Sequence, residues 1–323
     1  MKAIVNTAAD RLEFKEWPLP EPGLGQVRAR VLACGVCATD LHIIAGSERT
    51  GFPSIPGHEW AGVVDAVGEG VDPRLKGKKC VADNVWADGG EVGFEHPGGY
   101  GSFLVTEARN IQVLPAEFPA ATAALIEPLA VCVRGLRRLR LEGEKAALII
   151  GDGPIGLISI MLLRRAGIEE IHLVGGRPAR LARARDLGAG GVLNYHEIRA
   201  ELARAVQDSF GRRFPLVIEA SGSAKAMQAS LDLSERCGKI LVIGDYGPGR
   251  ADFPWNRLLH VELELIGSNA SAGAWPEAVR LACEEGLPLD RLITHRLPAA
   301  RFDEAMELAR HCREAIKVVM EWE

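Results

Sequence analysis

The sequence predicts an α/β protein in two parts, a small β-barrel or folded sheet and a doubly wound parallel sheet. Three observations carry this expectation. Up to about residue 119, short β-type runs alternate with Pro- and Gly-rich turns and show little helical period. From about residue 146, short apolar runs alternate with stretches of helical period, as repeated βαβ units do. At the head of that second pattern stands Gly151-Asp152-Gly153-Pro154-Ile155-Gly156, a G-x-G-x-x-G turn between an apolar run and an apolar helix.

At 323 residues the chain exceeds one ordinary core, so two domains are expected. The first part is placed at 1–126 with 267–323 returning to it, and the second at 127–266. In the first part the β-type runs are 3–5, 26–32, 61–67, 79–82 and 102–106. Pro128 then suits the first position of a helix, with Glu127 as the cap before it. The apolar run 146–150 reads as a strand buried on both faces, and Gly167 stands where the following helix would end. Strands are expected at 171–174, 191–194, 216–220, 239–244 and 263–267, with helices at 178–187, 198–210 and 224–233 between them. Two helices, 275–285 and 301–311, and a strand at 315–320 close the chain.

The glycine turn has a specific physical use. The first glycine permits the tight backbone, the second lets a pyrophosphate approach, and the third lets helix pack on strand. The helix N-terminus then offers free N–H groups and a positive dipole end. Gly151, Gly153, Pro154, Ile155 and Gly156 are therefore candidate cofactor contacts. The next strand ends Val174-Gly175-Gly176-Arg177, with Arg180 one turn on. A strand end without a carboxylate, followed by guanidinium groups, suits a 2′-phosphate, so NADP(H) is expected in preference to NAD(H). The plain alternative makes Arg177 a solvated residue opening a helix. Ile243, Ser268 and Asn269 are further candidate cofactor contacts.

Chemistry of a second kind is suggested by Cys34-Gly35-Val36-Cys37-Ala38-Thr39-Asp40-Leu41-His42. Two cysteines three apart would be half of a structural zinc site, but a second such pair never arrives. Pro56-Gly57-His58-Glu59 follows. One thiolate, one imidazole and one carboxylate form the mixed set a catalytic zinc uses with one position left open. Each residue also has an ordinary reading: Cys37 as a buried small hydrophobe, Thr39 or Asp40 as a helix N-cap, His58 as a hydrogen-bonded turn residue. Glu127, in Ile-Glu-Pro-Leu-Ala-Val, either answers a helix dipole or partners a cation.

Composition narrows the classes. A net charge of −5 does not give the basic footprint of a nucleic-acid binder. Arg134, Arg137, Arg138 and Arg140 read as a solvated helix face. The apolar run 146–163 is broken by Gly-Asp-Gly-Pro and so is not expected to span a membrane. With no basic-then-apolar leader and 7 scattered cysteines, a reducing cytoplasm is the expected compartment.

Taken together these residues resemble the zinc-dependent medium-chain dehydrogenase/reductase family, the alcohol and polyol dehydrogenases. The likeness rests on Cys-Gly-Val-Cys-Ala-Thr-Asp-Leu-His at 34–42, Gly-His-Glu at 57–59, Glu-Pro-Leu-Ala-Val at 127–131, Gly-Asp-Gly-Pro-Ile-Gly at 151–156 and Ile-Lys-Val-Val at 316–319. It implies a GroES-like β-barrel catalytic domain interrupted by a Rossmann domain. It implies that Cys37 and His58 hold zinc, with Glu59 a ligand or a carboxylate that swaps in. Glu127 falls at the third ligand position and resembles the polyol, sugar and threonine dehydrogenase branch, reaching the metal directly or through water. Gly175-Gly176-Arg177 resembles NADP-dependent members, and Tyr195 matches a tyrosine near the 2′-phosphate in some of them.

The implied reaction is hydride transfer between a secondary alcohol or polyol, sugar alcohols and amino alcohols included, and NADP. Thr39 would accept the substrate proton and His42 would pass it to solvent; the plain alternative makes His42 a surface histidine. Two departures are visible. The stretch 84–96 lacks the four close cysteines of the family's structural-zinc lobe, so one metal per chain is expected. Ala38 stands where many relatives carry a basic residue near the pyrophosphate. Two other readings stay open, a zinc-free NADPH-dependent quinone or enone reductase on the same fold and a non-catalytic NADPH-binding protein. Trp60, Trp86, His96, Trp255 and Asn269 are possible pocket residues, and a homodimer or homotetramer is expected.

Overall fold

A computed structural model describes residues 1–46, 49–247 and 249–323. The chain divides into two compact units, Met1–Ala130 with Ala272–Glu323, and Val131–Ser271. The observed divisions fall four to five residues beyond the expected ones, because the helix Ile126–Leu139 keeps its first turn with the first unit.

The first unit is built on a sheet whose strand Gln26–Gly35 pairs antiparallel with Glu59–Val67, Phe103–Glu107 and Lys317–Glu321. Along Gln26–Gly35 the side chains of Val27, Ala29, Val31 and Ala33 are buried, the period-two alternation of a strand with one face on a core. Trp60, Tyr100, Ile4 and Leu104 fill that core. The register matters more than the count of strands. Gly35 lies opposite both Glu59 and Val319, so Cys37, His58 and Lys317 all leave the sheet at the same end. The C-terminal segment thus completes the first unit by adding Ile293–Pro298 and Lys317–Glu321 as neighbouring strands.

The second unit is a six-stranded parallel sheet, ordered Gly191–Asn194, Glu170–Gly175, Ala146–Ile150, Phe214–Glu219, Ser234–Val242, Glu264–Gly267. In chain order this is 3-2-1-4-5-6, the doubly wound arrangement. Every residue of Ala146–Ile150 is buried, as a central strand covered on both faces requires. The helices Pro154–Arg165, Pro178–Asp186, Leu202–Phe210 and Ala224–Leu233 connect the strands.

The differences from the sequence reading have physical causes. Arg11–Glu16 forms a hairpin with Lys2–Ala8, and its charged, half-exposed residues give no apolar signal. Ile111–Val113 is too short to show a period. Ser234–Val242 begins five residues before expectation, its polar first half reading as a turn from sequence. The helix at the Glu-Pro-Leu motif starts at Ile126, which places Glu127 in its first turn instead of at the cap. Neither Thr39 nor Asp40 is the N-cap of Ala38–Ile44. Cys37 is, and Asp40 reaches back from the third helical position to its N–H. No helix among the described residues is long and apolar enough to cross a membrane.

Leu148 is fully buried in the central strand of the parallel sheet. Leu148→Ala is expected to destabilise the second unit by about 2–5 kcal/mol, read from its urea unfolding transition.

Candidate metal centre and nucleotide turn

Within the first unit, Cys37, His58 and Glu59 bring one Sγ, one ring nitrogen and one carboxylate oxygen within 4.8 Å of one another. Among the described residues this is the one group of three or more such side chains close enough to share an ion. His58 and Glu59 are buried, 6 % and 1 % exposed, while Cys37 is partly open. The donor chemistry suits zinc: a thiol, an imidazole and a carboxylate in a mostly dry setting.

The side chain that aims this cluster is Asp40, which has no exposed surface. Its Oδ2 accepts from the Cys37 N–H at 2.9 Å and from the Tyr100 hydroxyl at 3.3 Å. Its Oδ1 accepts from Gly57 N–H at 3.3 Å and from His58 Nδ1 at 3.0 Å. With Nδ1 donating to Asp40, Nε2 keeps the lone pair a metal needs. The field of Asp40 and of Cys37 outweighs burial and holds the His58 pKa well above the usual imidazole range in the absence of a cation.

Glu59 is held on its other side by Lys317, whose Nζ donates to Oε1 at 2.6 Å and to the Val36 carbonyl at 3.3 Å. Glu59 Oε2 is buried without a partner and lies over Gly35, where a Cβ would collide with it. An orphaned buried carboxylate oxygen beside a thiol and an imidazole fits a site made for a cation. Gly57 closes the frame. Its φ is +98°, and a Cβ there would meet the Tyr100 ring at 2.5 Å and Cys34 Sγ at 2.9 Å.

Thr39 Oγ1 lies 3.7 Å from Cys37 Sγ. His42 sits exposed in the last turn of the same helix. Glu127 is half-buried and is not one of the three clustered side chains. It is nonetheless close enough to feel them. Burial pushes its pKa up to about 7, with His58 and Lys317 opposing the rise and Glu59 and Asp40 adding to it. Trp60 does not line a pocket. It is 2 % exposed in the core, with Nε1 donating to Asn84 Oδ1 at 3.1 Å.

Sequence reasoning gave Asp40 only a capping role and missed Tyr100, Asn84 and the contact of Lys317 with Glu59. The signals available were the glycines of Pro97-Gly98-Gly99-Tyr100-Gly101. Gly98, Gly99 and Tyr100 donate backbone N–H groups to the carbonyls of Ile55, Gly57 and Pro56 respectively, so this loop packs directly against the stretch that ends at His58.

In the second unit the candidate nucleotide contacts gather at the carboxyl edge of the parallel sheet, where open α/β sheets bind ligands. Gly151 has φ +127° and packs on Ala220, and Gly156 packs on the Gly151 carbonyl. Gly153 is the N-cap of Pro154–Arg165 without a side-chain cap, and a Cβ there would meet open space. That open, amide-lined cradle fits a pyrophosphate. Ile155 is the second helical residue, its carbonyl taken by Ser159 at 2.8 Å. Gly175, Gly176, Arg177, Arg180 and Tyr195 come together at the neighbouring strand end. Tyr195 donates its N–H to the Gly175 carbonyl at 2.9 Å, and its ring covers Gly176 where a Cβ would collide. Ile243 and Ser268 follow the ends of Ser234–Val242 and Glu264–Gly267, and Asn269 is exposed.

One correction concerns the strand end. It carries no acid of its own, but the structure brings one there from the glycine turn. Asp152 Oδ2 accepts from the N–H groups of Gly176 and Arg177 at 2.9 and 2.8 Å.

The chain matches two family descriptions, "Alcohol dehydrogenase GroES-like domain" over residues 23–116 and "Zinc-binding dehydrogenase" over residues 154–284. It is 29 % identical to an L-threonine 3-dehydrogenase of Anaeromyxobacter sp. (strain Fw109-5), covering 100 % of this chain and 99 % of that one. It is 25 % identical to a sorbitol dehydrogenase of Halalkalibacterium halodurans, covering 99 % of each. An alcohol dehydrogenase structure from Thermus sp. ATN1 superposes with a TM-score of 0.90 at 26 % identity, covering 100 % of both chains.

The Lys317–Glu59 pair is 3 % and 1 % exposed. Lys317→Met is expected to cost about 3–5 kcal/mol in the metal-free protein, because it strands a buried carboxylate. Adding Glu59→Gln should recover most of the loss, and urea unfolding of the two variants checks both statements.

Proposed function

The chain belongs to the zinc-dependent medium-chain dehydrogenase family and is an alcohol or polyol dehydrogenase, and on that premise we propose that it moves a hydride between a secondary alcohol or polyol and NADP, using one zinc per chain. The observation that carries this reading is the convergence of Cys37, His58 and Glu59 within 4.8 Å, backed by Asp40. When bound, zinc polarises the alcohol oxygen and the nicotinamide takes the hydride.

The chain's own residues do the rest. Cys37, His58 and Glu59 hold the metal. Glu127, with its raised pKa, is a further carboxylate for it, directly or through water. Asp40 fixes the His58 ring and its tautomer. Lys317 holds one oxygen of Glu59 and leaves the other for the cluster. Thr39, beside Cys37, takes the hydroxyl proton, and the exposed His42 exchanges it with solvent. A zinc-free reductase would have no use for an orphaned carboxylate oxygen beside a thiol and an imidazole. The same donors leave a purely nucleotide-binding role without a purpose for the first unit.

At the second unit, Arg177 and Arg180 follow a strand end lacking its own acid, which supports NADP(H) over NAD(H). Threonine and sorbitol dehydrogenases among the relatives support amino alcohols and sugar alcohols as the substrate class. The exposed Trp255, Leu259 and Leu265 support a homodimer or homotetramer, and free cysteines suit the cytoplasm.

Cys37→Ala should remove zinc and lower turnover by about a thousandfold or more while leaving NADPH affinity nearly unchanged. Metal analysis, steady-state rates and NADPH fluorescence titration read the three quantities. Retained turnover without metal, or two zinc ions per native chain, would contradict the proposal. Replacing both arginines, Arg177→Gln with Arg180→Gln, should weaken NADPH binding by about tenfold and leave NADH binding nearly unchanged, read by the same titration.

A further inference from the structure

The carboxylate of Asp152 fills the volume a side chain at position 175 would take. A Cβ built on Gly175 would lie 2.5 Å from Asp152 Cβ and 2.7 Å from both its Cγ and Oδ2. Position 175 ends the second strand of the doubly wound sheet, where such folds place the acid that receives the adenosine ribose. Here glycine stands at that point, and an acid arrives from the turn of the preceding strand. Its Oδ2 is committed to the N–H groups of Gly176 and Arg177. Its Oδ1 faces Arg180 Nη1 at 3.9 Å, and the two side chains are 14 % and 13 % exposed.

We infer that Asp152 is a specificity-determining residue of the adenosine end of this site, opposing the 2′-phosphate that Arg177 and Arg180 favour. The inference rests on the proposed NADP(H) reading and explains what limits it. Two effects act in the same direction. A phosphate at this strand end would draw on the N–H groups of Gly176 and Arg177, the last before the helix Pro178–Asp186, and Asp152 already takes both. A phosphate drawn to Arg180 also meets the like charge of Asp152 in a mostly buried setting, where Coulomb terms are large. A ribose hydroxyl meets the opposite situation. It is a neutral donor, and Asp152 Oδ1 is an acceptor. The acid has in effect moved from strand end to glycine turn, and Gly175 is the space that the move requires.

The test is calorimetric titration of the full chain with adenosine 2′,5′-bisphosphate and with 5′-AMP, which differ only in the 2′-phosphate. Asp152→Asn keeps an acceptor for the turn and removes the charge. It should raise the affinity ratio of bisphosphate to AMP by about tenfold. A ratio that falls, or that stays within about twofold of the native one, would overturn the inference. The double variant Asp152→Gly with Gly175→Asp returns the acid to the strand end and should bring the ratio to the native value or below it. A rise there overturns the inference even if Asp152→Asn does not fold. A native chain that favours 5′-AMP would overturn the NADP(H) preference alone, since the change of ratio still decides the role of Asp152. A native chain that binds neither nucleotide would overturn both.

Discussion

A carboxylate with no exposed surface must find donors for its lone pairs or lose stability, and Asp40 finds four. Its partners come from three separated stretches: the turn at Cys37, the Gly57-His58 pair and the Tyr100 loop. Because each donor is fixed by its own backbone, satisfying Asp40 also fixes the direction of the His58 ring and the start of the helix that carries Thr39 and His42. The geometry of the Cys37, His58 and Glu59 cluster is therefore a consequence of solving a burial problem. Gly57 is part of the same solution, since its left-handed φ and missing Cβ let Tyr100 and Cys34 close in.

The second constraint is register. Antiparallel pairing puts Gly35 opposite Glu59 and Val319, so one sheet end delivers a thiol, an imidazole, a carboxylate and a lysine from residues far apart in the chain. A one-residue slip would reverse which face each side chain points to and would dissolve the cluster. The pairing of Lys317 with Glu59 links the last strand to the cluster of Cys37, His58 and Glu59. It makes the C-terminal segment part of the first unit in chemistry as well as in topology.

The stretch 84–98 shows how a loop that lacks cysteines is organised in this chain. Trp86 stacks on His96 with ring centroids 3.8 Å apart, and His96 Nε2 lies 3.1 Å from Asp88 Oδ2. Arg49 reaches across to Glu91 and Glu95 and lies over the Phe94 ring, which in turn tilts against His58. Asn84 donates to the His58 carbonyl at 2.8 Å, so the start of this stretch is tied to the clustered histidine itself. Stacking within the stretch, ion pairs from Arg49 and one buried amide order it and place Phe94 against His58.

What the sequence determined by itself is local and periodic. The parallel sheet was legible because its central strand is apolar on both faces, the others carry short apolar runs, and its turns are punctuated by glycine, signals that survive in one dimension. The members of the candidate cluster were legible for a similar reason, since Cys37, His58 and Glu59 stand in short motifs. What only the tertiary structure decided depends on where distant segments meet. Asp40 reads as a capping residue until Gly57, His58 and Tyr100 are folded around it. Lys317 reads as the edge of a strand until the register sets it against Glu59. Asp152 is one more residue of a glycine turn until the parallel pairing of Ala146–Ile150 with Glu170–Gly175 carries its carboxylate over Gly175. Charge and hydrogen-bond partnership depend on distance in space, and distance in space between remote residues is set by strand register and packing, which no short window of sequence contains.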